Sequence, residues 1–159
     1  MDKKRRATAT KLLWLAAIAW IAVLFFFSGQ TGVDSGRLSL MVTRLLMRIF
    51  PWLPWPLDVF HTIVRKAAHF CIFAVEGALL AGALMATLRR RGAPGAALAG
   101  ALCVGMAALN EYHQSFQAGR SCELRDVLID SCGALTGIAL AALIRHICRR
   151  RARRRNVII

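Results

Sequence analysis

The sequence predicts an all-α integral membrane protein. Four membrane-spanning helices form a bundle with both termini on the cytoplasmic side, and an amphipathic helix lies on the outer face. Three observations carry this expectation. Hydrophobic residues make up 57% of the 159-residue chain, and mean hydropathy is +0.51. Lys and Arg number 22 against 8 Asp and Glu, a formal net charge of +14. The basic residues lie in runs separate from the apolar ones. A basic nucleic-acid binder of pI ≈ 11.3 would normally be polar. Disorder is excluded by the apolar content. Five cysteines are an odd number, and four sit in or beside apolar runs, so no disulfide framework is expected.

One domain is expected over residues 12–146, between a basic tail at 1–11 and an Arg-rich tail at 147–159. Spanning ~30 Å of hydrocarbon takes ~20 residues. The first candidate span, about 12–27, reads LLWLAAIAWIAVLFFF and carries no charge. Its exit, FSGQTG, offers no small-x-small cleavage site, which favours an uncleaved anchor over a signal peptide. A long outer loop follows, residues 28 to 62. Within it Ser35 can cap a helix over about 36–50. Leu38, Met41, Val42, Leu45 and Ile49 recur there at helical spacing, with Arg37, Arg44 and Arg48 on a separate face away from much of that stripe. Such a helix suits the outer-leaflet surface, or packs as an ordinary amphipathic helix. The prolines of PWLPWP (51–56) forbid regular helix, and Trp52 and Trp55 suit the interface belt.

The second span, about 67–88, contains His69 and Glu76. The third, about 94–112, opens with Pro94, which a first helical turn tolerates. The fourth, about 127–144, contains Asp130. Gly133 and Gly137 form a GxxxG, and Ala96/Gly100 and Ala101/Gly105 are small-xxx-small pairs. Such pairs permit close helix contact, more often within a chain than between copies. Cys71, Cys103, Cys132 and Cys148 read as small apolar fillers.

Charge sets the expected orientation. Five positives precede the first span, Arg89, Arg90 and Arg91 join the second to the third, and seven arginines follow the fourth. Fifteen of the 22 basic residues thus fall on one side, which the positive-inside rule makes cytoplasmic. The remaining charges balance, seven positive against seven negative. The large net charge is therefore a topology signal. The tail RHICRRRARRRN attracts anionic lipid, and no nucleic-acid partner is expected.

Charged groups inside a bilayer are costly and usually have a partner or a role. Arg65, His69 and Glu76 fall within about 40° of each other on a helix turning about 100° per residue, and Lys66 lies beside them. The third helix ends in Asn110, Glu111, Tyr112, His113, Gln114. A short loop carries Arg120, and the fourth helix begins with Asp126 and Asp130. With this topology three segments converge at the outer end. Arg65, Lys66 and Arg120 there could clamp a phosphate or carboxylate. Glu111 and His113 could act as base and acid. His69, Glu111 and His113 could hold a divalent ion, but Glu111 and His113 are two apart and diverge on a helix, so no metal or cofactor is expected. Taken singly, each of these residues reads as half of a structural ion pair. Their convergence favours a site.

Three segments, SGQTGVDSGRLS (28–39), RKAAHF (65–70) and NEYHQSFQAGRSCELRDVLIDSCGALTG (110–137), resemble the VanZ-like family. The resemblance covers about residues 12 to 145. By match to its motifs, Arg65, Lys66, His69, Glu111, His113, Gln114, Phe116, Gly119, Arg120, Asp126 and Gly133 carry over, with Ser28 and Gln30 more loosely. Asn110 stands where the family usually has Asp, Asp130 where it often has Asn, Glu76 where an apolar residue is usual, and Phe73 where Tyr is frequent. The resemblance implies a small multi-pass protein of the bacterial cytoplasmic membrane. The family's namesake is associated with low-level resistance to the glycopeptide teicoplanin.

The leading functional expectation is a cell-envelope membrane protein with an extracytoplasmic polar site for an anionic lipid or cell-wall precursor. Arg65, Lys66 and Arg120 would hold the anion, with His69, Glu111, His113, Gln114 and Asp126 completing the site. The surface helix could cover its entrance. The second is a hydrolase or transferase acting on an envelope lipid, with Glu111 and His113 as acid–base pair. No GxSxG or HExxH supports it. The third is a transporter. Four spans without an inverted repeat argue against one, unless it oligomerises.

Overall fold

A computed structural model describes residues 3–88 and 92–155. Arg89, Arg90 and Arg91, on which part of the charge argument rests, lie outside the described residues. Among the described residues there are five helices and no strand: α1 (Lys3–Ser28), α2 (Gly32–Ile49), α3 (Leu57–Thr87), α4 (Gly92–Gln114) and α5 (Leu124–Arg155). Helices α1, α3, α4 and α5 are each long and apolar enough to cross a membrane. Their large apolar side chains ring the outside of the bundle, among them Leu12, Leu15, Phe26, Leu98, Leu102, Leu135, Leu140 and Ile144. A water-soluble protein rarely leaves so continuous an apolar surface uncovered. The fold is that of a multi-pass membrane protein.

The helices outrun the apolar windows that announce them. α3 begins at Leu57 rather than near residue 67, directly after Pro56. An apolar window stops at Arg65 and Lys66, but the backbone hydrogen-bond ladder of a helix continues through charged side chains. α1 and α5 likewise extend through their basic flanks. α2 starts at Gly32 rather than 36, because Thr31 and not Ser35 is its cap. The Thr31 hydroxyl accepts from the Asp34 amide at 3.2 Å and donates to the Asp34 carboxylate at 2.7 Å.

The core is built mainly of small side chains. Ala81, Ala99, Cys103, Ala107 and Ala134 are buried beside Leu24, Phe73, Leu80, Leu84, Met85 and Ile138. Cys103 is an apolar filler as expected, but Cys71, Cys132 and Cys148 are exposed on the bundle surface. α3 and α5 share the largest interface. The GxxxG of α5 makes it: a Cβ at Gly133 would strike the backbone of Phe70, and one at Gly137 the backbone of Ala74. The motif therefore serves packing within the chain. α1 is tied to α3 at two levels, by the Trp20 indole donating to the Ile72 carbonyl and the Trp14 indole to the Thr87 hydroxyl, both at 3.0 Å.

α2 packs against α3, but through its polar edge. Thr43 is fully buried and the Ser39 hydroxyl lies 2.7 Å from His61 Nε2. Its apolar stripe is left open, with Met41 64%, Leu45 56% and Ile49 53% exposed. The stripe is therefore not the core-facing side of an ordinary packed helix.

Candidate functional site

Antiparallel packing brings the end of α1, the first half of α3, the end of α4 and the start of α5 to one end of the bundle. The α4–α5 loop is held down on α2 there. The Gly32 amide donates to the Ala118 carbonyl at 2.9 Å. Gly119 has φ +75°, a conformation glycine adopts without strain, and its carbonyl occupies the place a Cβ on Gly32 would need. This anchoring sets the position of Arg120.

A cleft of about 260 Å³ opens between α1, α2, α3 and α4. Leu24, Phe27, Leu38 and Val42 form apolar walls. Its polar lining includes Ser28, Gln30, Arg65, His69, Gln114 and Arg120. Asn110 also lines it and is 2% exposed, with no partner for its side-chain oxygen. Among the described residues, neither Arg65 nor Arg120 has a carboxylate within ion-pair distance. Arg120 is half-buried, and its Nε makes no hydrogen bond. Burial, then the like charge of Arg65, pushes the Arg120 guanidinium below its ordinary value, while Glu111 acts in the opposite direction.

The remaining predicted residues divide into three groups, of which only His69 also lines the cleft. Lys66 forms an ion pair with Asp126, and Glu123 lies 3.9 Å away. It is therefore neutralised and does not line the cleft with the two arginines. His113 turns to α1, where its Nδ1 lies 3.1 Å from the Ser28 hydroxyl and its ring meets Phe25 edge-on. Glu111 turns the other way. Its carboxylate accepts from the Glu123 amide at 3.2 Å. Glu111 and His113, two apart on one helix, point to different neighbours.

The third group was not foreseen as a unit. His69 Nδ1 lies 3.2 Å from the Asp130 carboxylate. His69, Glu111 and Asp130 each place a ligating atom within 4.8 Å of the others. Asp130 takes the place that sequence spacing had offered to His113. Its signal was the position one turn beyond Asp126 on a common face. Glu111 is 1% exposed and Asp130 0%, and one oxygen of each has no hydrogen-bond partner. Glu76, deeper on α3, is also buried with both oxygens unpartnered.

Fold and site together define a multi-pass helical membrane protein with an incompletely paired polar cluster at one end. The chain belongs to the VanZ/LLP1 family, which it matches over residues 13–145. No curated protein and no solved structure matches it.

Proposed function

We propose that this is a bacterial cell-envelope membrane protein whose cleft binds an anionic lipid or lipid-linked cell-wall precursor at the extracytoplasmic face. The observation that carries this reading is the pair Arg65 and Arg120. Both line one cleft, and neither has a carboxylate of the described residues within ion-pair distance. Unpaired guanidinium groups near a low-dielectric wall favour a bound anion, and arginine suits phosphate through its planar fork. Leu24, Phe27, Leu38 and Val42 beside them suit an acyl or polyprenyl chain. Orientation rests on the basic residues at the opposite end of the bundle, Lys3 to Lys11 on α1 and the arginines at the end of α5. The positive-inside rule favours the cytoplasm for these residues, which supports an outward-facing cleft. The exposed stripe of α2 then meets the outer leaflet beside the cleft.

The acid–base enzyme reading loses support from the divergence of Glu111 and His113. An influence on glycopeptide susceptibility is suggested by the family name and fits a site for a cell-wall precursor. The test is photo-crosslinking of a polyprenyl pyrophosphate probe in membranes. Wild type is expected to label several-fold more strongly than Arg65→Ala/Arg120→Ala. Equal labelling of the two overturns the proposal.

A further inference from the structure

We infer that His69, Glu111 and Asp130 form a binding site for one divalent transition-metal ion at the buried junction of α3, α4 and α5. Three helices each contribute one ligating atom, and all three atoms lie within 4.8 Å of one another. Zinc sits ~2.0–2.2 Å from imidazole nitrogen and carboxylate oxygen, so its ligand atoms stand roughly 3–3.5 Å apart. The 3.2 Å separation of His69 Nδ1 from the Asp130 oxygen already meets that spacing. The Glu111 oxygen lies within 4.8 Å of both.

Two features point to an ion rather than to a self-sufficient polar cluster. The first is unmet bonding capacity. Glu111 Oε1 and Asp130 Oδ2 are buried without a partner, on side chains 1% and 0% exposed. Buried polar atoms normally have partners because leaving one unmade is costly. The second is charge. Two carboxylates share this space, and neither has a lysine or arginine of the described residues within ion-pair distance, Lys66 being engaged by Asp126 and approached by Glu123. A divalent cation neutralises both carboxylates at once. The donors are one imidazole and two carboxylates, a set that suits Zn2+ or Mn2+ better than the all-oxygen shells of Ca2+ and Mg2+. The Glu123 amide bonded to the other Glu111 oxygen fixes that carboxylate from behind, as outer partners of metal ligands do. Three protein ligands leave a coordination position open. His69 also lines the cleft, so the ion sits beside it.

This inference does not rest on the anion-binding reading, and the two are tested separately. Purified protein, its thiols blocked with N-ethylmaleimide, is stripped with chelator and titrated with Zn2+ and Mn2+ against a chromophoric indicator. Wild type and Arg65→Ala/Arg120→Ala are each expected to bind about one equivalent. Asp130→Asn and His69→Ala are expected to bind at least about tenfold more weakly, as losing a partner of the metal does, while eluting as wild type on gel filtration. Failure of wild type to bind either metal stoichiometrically overturns the inference, as does equal affinity in Asp130→Asn. A variant that fails to fold leaves the wild-type Co2+ spectrum as arbiter. Visible d–d bands of a four- or five-coordinate ion support the site, and the weak absorption of octahedral aqueous Co2+ alone overturns it.

Discussion

His69 on α3 and Asp130 on α5 meet at 3.2 Å, imidazole Nδ1 to carboxylate, although they are 61 positions apart in the chain. The contact is possible because the helices approach closely one turn further on. Gly133, three residues after Asp130, lies against the backbone of Phe70, the residue after His69. The small-residue seam and the polar cluster are thus parts of one device: the first sets the helix spacing that the second requires.

The seam gives the plainest mutational prediction. Gly137→Ala places a methyl group against the Ala74 backbone, whereas a Cβ at Gly105 meets nothing within 4 Å. Overpacking of this kind costs about 1–3 kcal/mol, while Gly→Ala at an open helical position is neutral or favourable by up to ~1 kcal/mol. Thermal melting in detergent should fall for Gly137→Ala and hold or rise for Gly105→Ala.

Lys66 and Asp126 should behave as a unit. Their side chains are 27% and 15% exposed, so removing either leaves a mostly buried charge, at roughly 1–3 kcal/mol after allowing for partial solvation. Lys66→Met and Asp126→Leu should each lower stability, and the double variant should recover much of the loss. Additive losses in melting experiments would show that the pair is not coupled.

His113 is predicted to brace α1 rather than to handle protons. His113→Ala removes the contacts to Ser28 and Phe25, a loss of about 1–2 kcal/mol. Cross-linking of a polyprenyl pyrophosphate probe should survive at temperatures where the variant remains folded.

The lowered Arg120 guanidinium predicts a pH dependence. Burial and the charge of Arg65 act against any cation at this position. Wild-type Arg120 starts from the high ordinary value of a guanidinium and stays charged across the accessible range. In Arg120→Lys the ordinary value is about 10.4, and the same two causes lower it. The cation is present below that lowered value and lost as pH rises through it. Probe binding to Arg120→Lys should therefore weaken at alkaline pH below about 10.4, while wild-type binding stays level.

The orientation is open to a direct check with native cysteines. Cys122 is exposed in the loop at the cleft end, and Cys148 is exposed near the end of α5. A membrane-impermeant maleimide applied to intact cells should label Cys122 and spare Cys148 until the cells are permeabilised. The reverse pattern would place the cleft on the cytoplasmic side.

Much of the architecture was legible in sequence. Runs such as LLWLAAIAWIAVLFFF announce spans because hydrocarbon has a fixed thickness, and a GxxxG marks close packing because only small residues permit it. Helix ends were less legible. The start of α3 was hidden behind Arg65 and Lys66, whose charges interrupt hydropathy but not the backbone hydrogen-bond ladder. Resemblance over three short segments pointed to the family that the match over residues 13–145 then established.

The sequence by itself determined that this chain is a basic, helical membrane protein of four spans, with polar residues gathered near three helix ends. Those properties depend on composition and on periodicity along one chain. Only the tertiary structure decided how the polar residues divide. Lys66 goes to Asp126, His113 to Ser28, and Glu111 lies beside His69 and Asp130, leaving Arg65 and Arg120 without acid partners on one cleft. Each choice depends on the rotation of one helix against another. Between α3 and α5 that rotation is set by where Gly133 and Gly137 let two backbones touch, and spacing along a single helix does not encode it.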